Sequence, residues 1–587
     1  MSHYYTDERN AQIVISLLKQ HGIKKIVASP GTTNICLVAS MQQDHWFEIY
    51  SAADERSAGY IACGMAAESG EPVVISCTGA TASRNYMPAL TEAYYRKLPI
   101  LAVTSSRRNY RIGHNMDQIT DRTQLPNDVA KLSVQVPLVY DHESEWADVI
   151  AVNRAILELC HHGNGPVHIN LETNYSTNYN VKELPEIRII KRITIQDEFP
   201  VLNFDKVAIM VGAHVAWSDE LTKAVDLFCE KHNAAVLCDH TSNYKGKYRI
   251  LANLQVQQEN RLSVVRNVDL VIHIGDVSAS NYNIQTENVW RINPDGELRD
   301  TYGKLRYVFE MDEKSFFEKY AVGNNKQMTY YKRCYDEQML IRGELQKKID
   351  TLAFSNAWVA SQTAHRLPIN SAIHFGIQNS LRFWNFFEVP TEVLGYCNTG
   401  GFGIDGNMSS TIGAALANPD KIFYCVLGDL AFFYDLNSLG NKHIANNIRI
   451  LLVNNGKGTE FKLKGNPGYL FGEEADMYIA AADHYGKKSH SLVKGYAESL
   501  GFEYLSASTK EEYSSRLEHF ISPSEENRSM IFEIFTNSED ENNSLVSIRN
   551  TIVDEKYALG RSTMHAMKGI IGEDNVNAIK KFIIGRK

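Results

Sequence analysis

The chain has 587 residues, 44% apolar and 22% charged, which is ordinary globular composition and excludes a collagen, a coiled-coil rod or a disordered polymer. Its length suits three or four domains. The net charge of −9 argues against a nucleic-acid partner, and no run of about 18 apolar residues predicts a membrane span.

The polar N-terminus lacks the basic-then-apolar pattern of a signal peptide. Nine cysteines are scattered without a CxxC pair, several within apolar runs, as expected of reduced core thiols in a cytoplasmic protein.

Three α/β blocks are predicted in chain order. Residues 10–21 carry a helical apolar face, and near-continuous apolar runs at 26–28, 73–75, 100–103 and 167–169 are separated by helix-length segments. Such runs mark strands of a parallel sheet covered on both faces. A polar, charge-rich stretch up to residue 200 predicts a linker. A second block follows, with strands at 207–211, 235–237, 270–274 and 307–309, then helix and connection over 312–351. The third block carries strands at 393–396, 422–427, 448–453 and 531–535. The fold class is therefore α/β, with three doubly wound parallel-sheet domains. The boundaries are 1–175, a linker at 176–200, a central domain at 201–350, a third domain at 351–544 and a C-terminal extension at 545–587. The extension, with His565, Met567, Lys568 and a helical pattern at 576–584, either closes over a site or packs on a partner.

Two constellations carry chemistry. In the third block one strand runs into Gly428-Asp429-Leu430 and the next into Asn454-Asn455-Gly456. Strand ends at the carboxyl edge of a parallel sheet are where open α/β folds bind ligands. Gly428 lets backbone approach a phosphate, and Asp429 and Asn455 are hard oxygen donors suited to Mg²⁺ or Ca²⁺ on a diphosphate. Read singly, they are a strand-capping Asp and an Asn-Gly turn. In the first block, Asp54-Glu55-Arg56 precedes a small-residue helix, and Thr78-Gly79-Ala80-Thr81 with Asn85 forms a second loop at the same sheet edge. By itself Glu55 reads as a first-turn acid favoured by the helix dipole.

Together these segments resemble the thiamine diphosphate-dependent 2-oxoacid decarboxylase and carboligase superfamily over almost the whole chain. The branch they are similar to is the menaquinone-pathway carboligase. The shared segments are Ser29-Pro30-Gly31-Thr32, Asp54-Glu55-Arg56, the run from Thr81 to Leu90, Asn379-Ser380-Leu381, Gly403-Ile404-Asp405-Gly406 and the run from Gly428 to Asn437. The resemblance implies the domain order pyrimidine-binding, central, diphosphate-binding, with thiamine diphosphate and Mg²⁺ as cofactors. It implies that Glu55 hydrogen-bonds the pyrimidine ring, that Ile404 is an apolar wedge under the cofactor, and that Asp429, Asn455 and the Lys457 carbonyl form the metal shell. Gly428, Leu430 and Ala431 would then line the diphosphate, with Gly31, Thr81 and Asn85 on the pyrimidine side. Glu55 is expected in a dry pocket walled by Ala52, Ala53 and Ala58. Gln118 matches a family active-site glutamine, and His114 either relays protons or is an exposed loop histidine.

Where that branch places substrate arginines, this chain has Thr33, Phe383-Trp384 and Thr399, while Arg107 is kept. Losing bidentate carboxylate forks changes what binds, so the substrate set expected here (Thr33, Arg107, Trp384, Thr399) implies a less anionic acceptor. Arg107 either clamps an anion or is solvated, and the side chains of Lys457 and Lys462 either reach an acidic substrate or lie in solvent. Loops at Gly212-Ala213-His214 and Gly275-Asp276 in the central block lack a dinucleotide fingerprint, so that block reads as scaffold.

The expected activity is a carboligase, a transferase or lyase that decarboxylates a 2-oxoacid and passes the acyl anion to a carbonyl acceptor. The alternatives are a 2-oxoacid decarboxylase releasing an aldehyde and a non-catalytic binding descendant. Because the family builds each site from two subunits, the resemblance also implies a homodimer or homotetramer.

Overall fold

A computed structural model describes residues 4–560 apart from 279, 281 and 524–527; His565, Met567, Lys568 and the pattern at 576–584 lie outside the described residues. The described chain divides into two compact units, residues 1–199 with 294–310, and residues 200–293 with 311–587. The strand pairs form three all-parallel sheets with interleaved helices.

The first unit holds a six-stranded sheet in the order Glu48–Ser51, Lys25–Ala28, Val73–Thr78, Ile100–Ser106, Val167–Glu172, Leu132–Val136. The runs read as continuous apolar strands form its middle and are buried on both faces. The short Glu48–Ser51 and the alternating Leu132–Val136 are edge strands. One face packs on the helices Arg9–Gln20 and His142–Glu158 through Ile13, Leu17, Val149 and Val152, and the other on Glu55–Ser69 and Met87–Arg96 through alanines. The stretch expected as a linker carries the strand Lys191–Thr194, parallel to Leu305–Glu310, and buries Ile187 and Ile190 within this unit. Its polar composition hid the strand, because only alternate residues face inward.

In the second unit, one sheet includes Arg249–Leu251, Ala234–Cys238, Val207–Val211, Leu270–Ile274 and Val289–Ile292 in that order. The glycines of its two candidate loops serve packing: a Cβ on Gly212 would fall 2.0 Å from the Asp276 carbonyl oxygen. The other sheet runs Leu394–Cys397, Ser371–Phe375, Ile422–Gly428, Ile448–Asn454, Met530–Phe535, Glu503–Ala507. Apolar clusters cover both of its faces.

Numbered within each sheet, the six strands of the first unit and these six share one order, 2-1-3-4-6-5. The order reverses direction between strands 1 and 3, which opens a crevice at their carboxyl ends. In the first unit that crevice lies beyond Ala28 and Thr78, and in the second beyond Phe375 and Gly428.

Candidate active site

The second unit's crevice is built by strand register. Gly428 lies opposite Val453 in the parallel ladder, so Asp429 and Asn455 leave the sheet side by side. Asp429, 5% exposed, opens a short helix and is fixed by two backbone donors: Leu430 N–H to Oδ1 at 2.9 Å and Gly456 N–H to Oδ2 at 2.7 Å. The second bond needs the left-handed backbone of Gly456 at φ +76°, a conformation only glycine adopts at little cost. Burial pushes the Asp429 carboxyl up to about 6, opposed by those amides and by Lys488. Asn454, the previous residue, is structural: its Nδ2 donates to the buried Glu533 at 2.6 Å, and Tyr504 donates to the other Glu533 oxygen.

Asn455 Oδ1 is buried with no hydrogen-bond partner among the described residues. An orphaned amide oxygen beside a desolvated carboxylate is costly unless a cation takes both. The pair opens on a cleft of about 390 Å³ whose walls include Ile404, Gly428, Leu430, Ala431, Lys457 and Gly458. A Cβ on Gly428 would meet nothing within 4 Å, leaving backbone accessible there. Hard oxygens, exposed backbone amide and an apolar Ile404 wall fit a divalent cation on a diphosphate with an organic ring alongside.

Three residues of this region carried no signal in the sequence. Lys488 stands behind Asp429, donates to the Thr536 carbonyl and is pushed down by burial. Asp476 takes both Lys457 and Lys462, so neither ammonium is free to reach a substrate or dissolved in solvent. Glu541, 1% exposed, lines the cleft, accepts from Asn356 N–H and Thr536 Oγ1, and is pushed up to about 7 by burial. All three come from segments with no local motif, and only the tertiary fold brings them to the cleft.

Trp384 is 1% exposed, sits in the core with its Nε1 donating to Asn356, and is no wall of the cleft. Thr399 is also buried and outside the cleft wall. The neighbouring arginine with a face at a pocket is Arg382, which pairs bidentately with the cleft residue Glu460 at 2.6 and 3.0 Å.

The first unit's crevice holds the second constellation. Asp54 caps the helix Glu55–Ser69 through Arg56 and Ser57 N–H. The helix packs so closely on Met87–Arg96 that a Cβ on Gly59 would fall 2.6 Å from Ala89 Cβ, which explains its run of small residues. Glu55 accepts from Asn85 Nδ2 at 3.1 Å, tying the two predicted loops together. Gly31 also approaches closely, since a Cβ there would lie 2.8 Å from Thr78 Cβ. The expected dry pocket is not complete: Glu55 is half-buried and Ala53 exposed. Small side chains let the helix pack but do not cover the carboxyl.

Thr81, His114 and Gln118 are exposed, with Gln118 at φ +56°. Thr33 is buried and its hydroxyl donates to the Ser105 carbonyl at 2.6 Å, which locks the loop. Arg107 pairs with Asp117 at 2.9 Å and donates to the Tyr175 hydroxyl at 2.8 Å.

Residues 9–125 match the family described as thiamine pyrophosphate enzyme, N-terminal TPP binding domain, and residues 378–534 match thiamine pyrophosphate enzyme, C-terminal TPP binding domain. The chain is 32% identical over 552 residues to a 2-succinyl-5-enolpyruvyl-6-hydroxy-3-cyclohexene-1-carboxylate synthase of Phocaeicola vulgatus, covering 91% of this chain and 96% of the relative. Proteins of the same name from Bacteroides thetaiotaomicron and Flavobacterium johnsoniae are 30% and 26% identical over 91% and 90% of this chain, and 96% of each relative. The two matched domains contain the two crevices, one with Glu55 and one with Asp429 and Asn455, and the chain belongs to the thiamine pyrophosphate enzyme family.

Proposed function

We propose that the chain is a thiamine diphosphate- and Mg²⁺-dependent carboligase that decarboxylates a 2-oxoacid and transfers the acyl group to a carbonyl acceptor. The observation that carries the reading is the pairing of a desolvated Asp429 carboxyl with the orphaned Asn455 Oδ1 on one cleft. In this reading Asp429, Asn455 and the Lys457 carbonyl hold Mg²⁺. Gly428, Leu430 and Ala431 line the diphosphate, and Ile404 supports the ring. Glu55 holds the pyrimidine proton, oriented by Asn85 and flanked by Gly31 and Thr81. When bound, thiamine diphosphate supplies the electron sink for loss of CO₂; the chain binds it, orients it and keeps water out.

Transfer is preferred over simple aldehyde release because the relatives carry the name of a synthase. The acceptor is inferred to be weakly anionic or neutral: Thr33 is locked internally, Arg107 is neutralised by Asp117 and Arg382 by Glu460. Gln118 and His114 are assigned to the substrate side. The working form is a cytoplasmic homodimer or homotetramer, with Glu55 of one copy serving the diphosphate half of another. Exposed Tyr60 and Ile61 on the Glu55 helix support an assembly, and no helix among the described residues is long and apolar enough to cross a membrane.

The test is CO₂ release from a panel of 2-oxoacids with both cofactors, with and without neutral carbonyl acceptors. Carboligation predicts a stoichiometric C–C product whose formation needs the acceptor. Aldehyde release whatever the acceptor would convert the assignment to a decarboxylase. Cofactor binding without CO₂ release from any donor would overturn catalysis.

A further inference from the structure

A second donor cluster lies in the first unit, in the loop that follows the helix His142–Glu158. There the chain reverses through His162 at φ +48° and Gly163 at φ +95°. The turn stacks the His161 and His162 rings with centroids 3.8 Å apart. Both Nε2 atoms face one carboxylate, Glu310 at the end of the strand Leu305–Glu310. His162 Nε2 is 2.6 Å from Oε1, and His161 Nε2 is 3.2 Å from Oε2. The three ligand atoms lie within 4.8 Å of one another.

We infer that His161, His162 and Glu310 form a binding site for a divalent transition-metal ion of the zinc class, separate from the cofactor crevices. His161 supplies the decisive observation. Its side chain is only 7% exposed, its Nδ1 lies 3.0 Å from Glu158 Oε2, and its Nε2 has no hydrogen bond among the described residues. The Glu158 contact places the ring proton on Nδ1, so the Nε2 lone pair points at a carboxylate oxygen. A metal ion between them replaces a repulsion by two bonds. A carboxylate behind a histidine ligand is how metal sites fix tautomer and ring orientation. The surroundings hold the donors still. Lys131 donates to the carbonyls of Glu158, His161 and Gly163, bracing the turn from behind. Arg192, whose Nε is 3.8 Å from Glu310, gives its hydrogen bonds to the Gly296 and Leu157 carbonyls, so that no arginine hydrogen bond competes for Glu310, whose Oε1 meets only His162 Nε2 among the described residues.

Two imidazole nitrogens and one carboxylate are the donor set of zinc-type ions, with Zn–N near 2.0–2.1 Å, whereas Mg²⁺ and Ca²⁺ prefer oxygen alone. A solvent-exposed edge at His162 leaves room for water as fourth ligand. The loop feeds the strand Val167–Glu172 at its amino end, whereas Glu55 and Asn85 serve the carboxyl edge. The ion would therefore brace the fold by joining the turn to a strand that follows it by well over a hundred residues, and would take no part in turnover.

The experiment uses the tag-free full-length protein, stripped by chelator and then held in saturating Mg²⁺ and thiamine diphosphate so that the cofactor cleft is filled. Calorimetric titration with ZnCl₂ at pH 7.5 should give one ion per chain, with a dissociation constant of about a micromolar or below, and a higher melting temperature. His162→Ala, at an exposed position, should fold and turn over normally yet bind zinc at least about 100-fold more weakly and lose the thermal shift. Glu158→Gln, which acts only through His161, should weaken binding by about tenfold. Equal zinc binding by wild type and His162→Ala would overturn the site. So would wild type that takes up no zinc and shows no thermal shift with it.

Discussion

If Asp429 holds the metal as proposed, protons and metal compete there. The side chain is 5% exposed, and burial raises its carboxyl from 3.8 to about 6 in spite of two amide donors and Lys488. A rise of about two units corresponds to about 3 kcal/mol for ionising it in the ligand-free fold. The sign follows: the folded state holds this proton more tightly than the unfolded chain, so ligand-free stability falls as pH rises from about 4 to 6. A divalent cation needs the carboxylate, so binding expels the proton. At pH 6 the expected release from this group is about half a proton per site, and at pH 5 about 0.9, with apparent affinity down about tenfold from pH 8. An aspartate left at 3.8 would release only about 0.06 proton at pH 5. The assay is calorimetry of Mg²⁺-dependent thiamine diphosphate binding in buffers of different ionisation enthalpy, after subtracting proton release from Mg²⁺ and the cofactor in free solution. Asp429→Asn should lose both the excess release and metal-dependent binding. No excess at pH 5–6, or an unchanged profile in Asp429→Asn, would show that this carboxylate does not hold the metal.

Glu55→Gln keeps size and one hydrogen bond to Asn85; it should fold and bind cofactor but lose turnover by about 10²-fold or more, and near wild-type C2–H/D exchange of the bound cofactor would remove Glu55 from the chemistry. Gly456→Ala must hold φ +76° with its new methyl 3.3 Å from Lys488 Cβ; the strain, of order 1–3 kcal/mol, should lower melting temperature and weaken cofactor binding together, whereas unchanged binding would show that the amide donor to Asp429 is dispensable. Light scattering with activity should show a dimer or tetramer as the active species; a fully active monomer at assay concentration would refute the shared-site reading.

Doubly buried strands announce themselves, because both faces must be apolar; Val73–Thr78, Ile100–Ser106 and Ile448–Asn454 were legible for that reason. Their ends then pointed to Asp429 and Asn455 without any tertiary information. Ser371–Phe375 escaped because its serine and histidine dilute the run, although it is fully buried. Leu132–Val136 and Glu503–Ala507 escaped as half-exposed edge strands with weak patterns. Pairings across the chain were illegible. Nothing local to Lys457 announces Asp476, nothing local to Arg107 announces Tyr175, and His161-His162 has no meaning until Glu310 arrives from the far strand. The core position of Trp384 was illegible for a related reason: an indole gains more from the core than a guanidinium can.

In the proposed reading Glu55 ties chemistry to assembly. A carboxyl that tunes a ring proton works best where the effective dielectric is low, since water screens the contact and solvates the charge. In the chain by itself Glu55 stays half-buried, with Asn85 as its neighbour. Its helix has one face already committed: Ala58, Ala62 and Ala66 pack inward, and Gly59 permits an approach to Ala89 that no larger residue would allow. That face cannot also shift to cover the carboxyl. The other face carries Tyr60 at 47% and Ile61 at 45% exposure, five and six residues beyond Glu55. Single exposed apolar residues need no explanation, but two adjacent ones on the helix that opens with Glu55 offer a surface to a second copy. A second copy laid on that face would bury Tyr60 and Ile61, and one that also covers the amino end of the helix would strip water from Glu55. Activity in this reading should appear with association and not before it: tight inward packing holds Glu55 in place, and the exposed Tyr60 and Ile61 would give a second copy its footing.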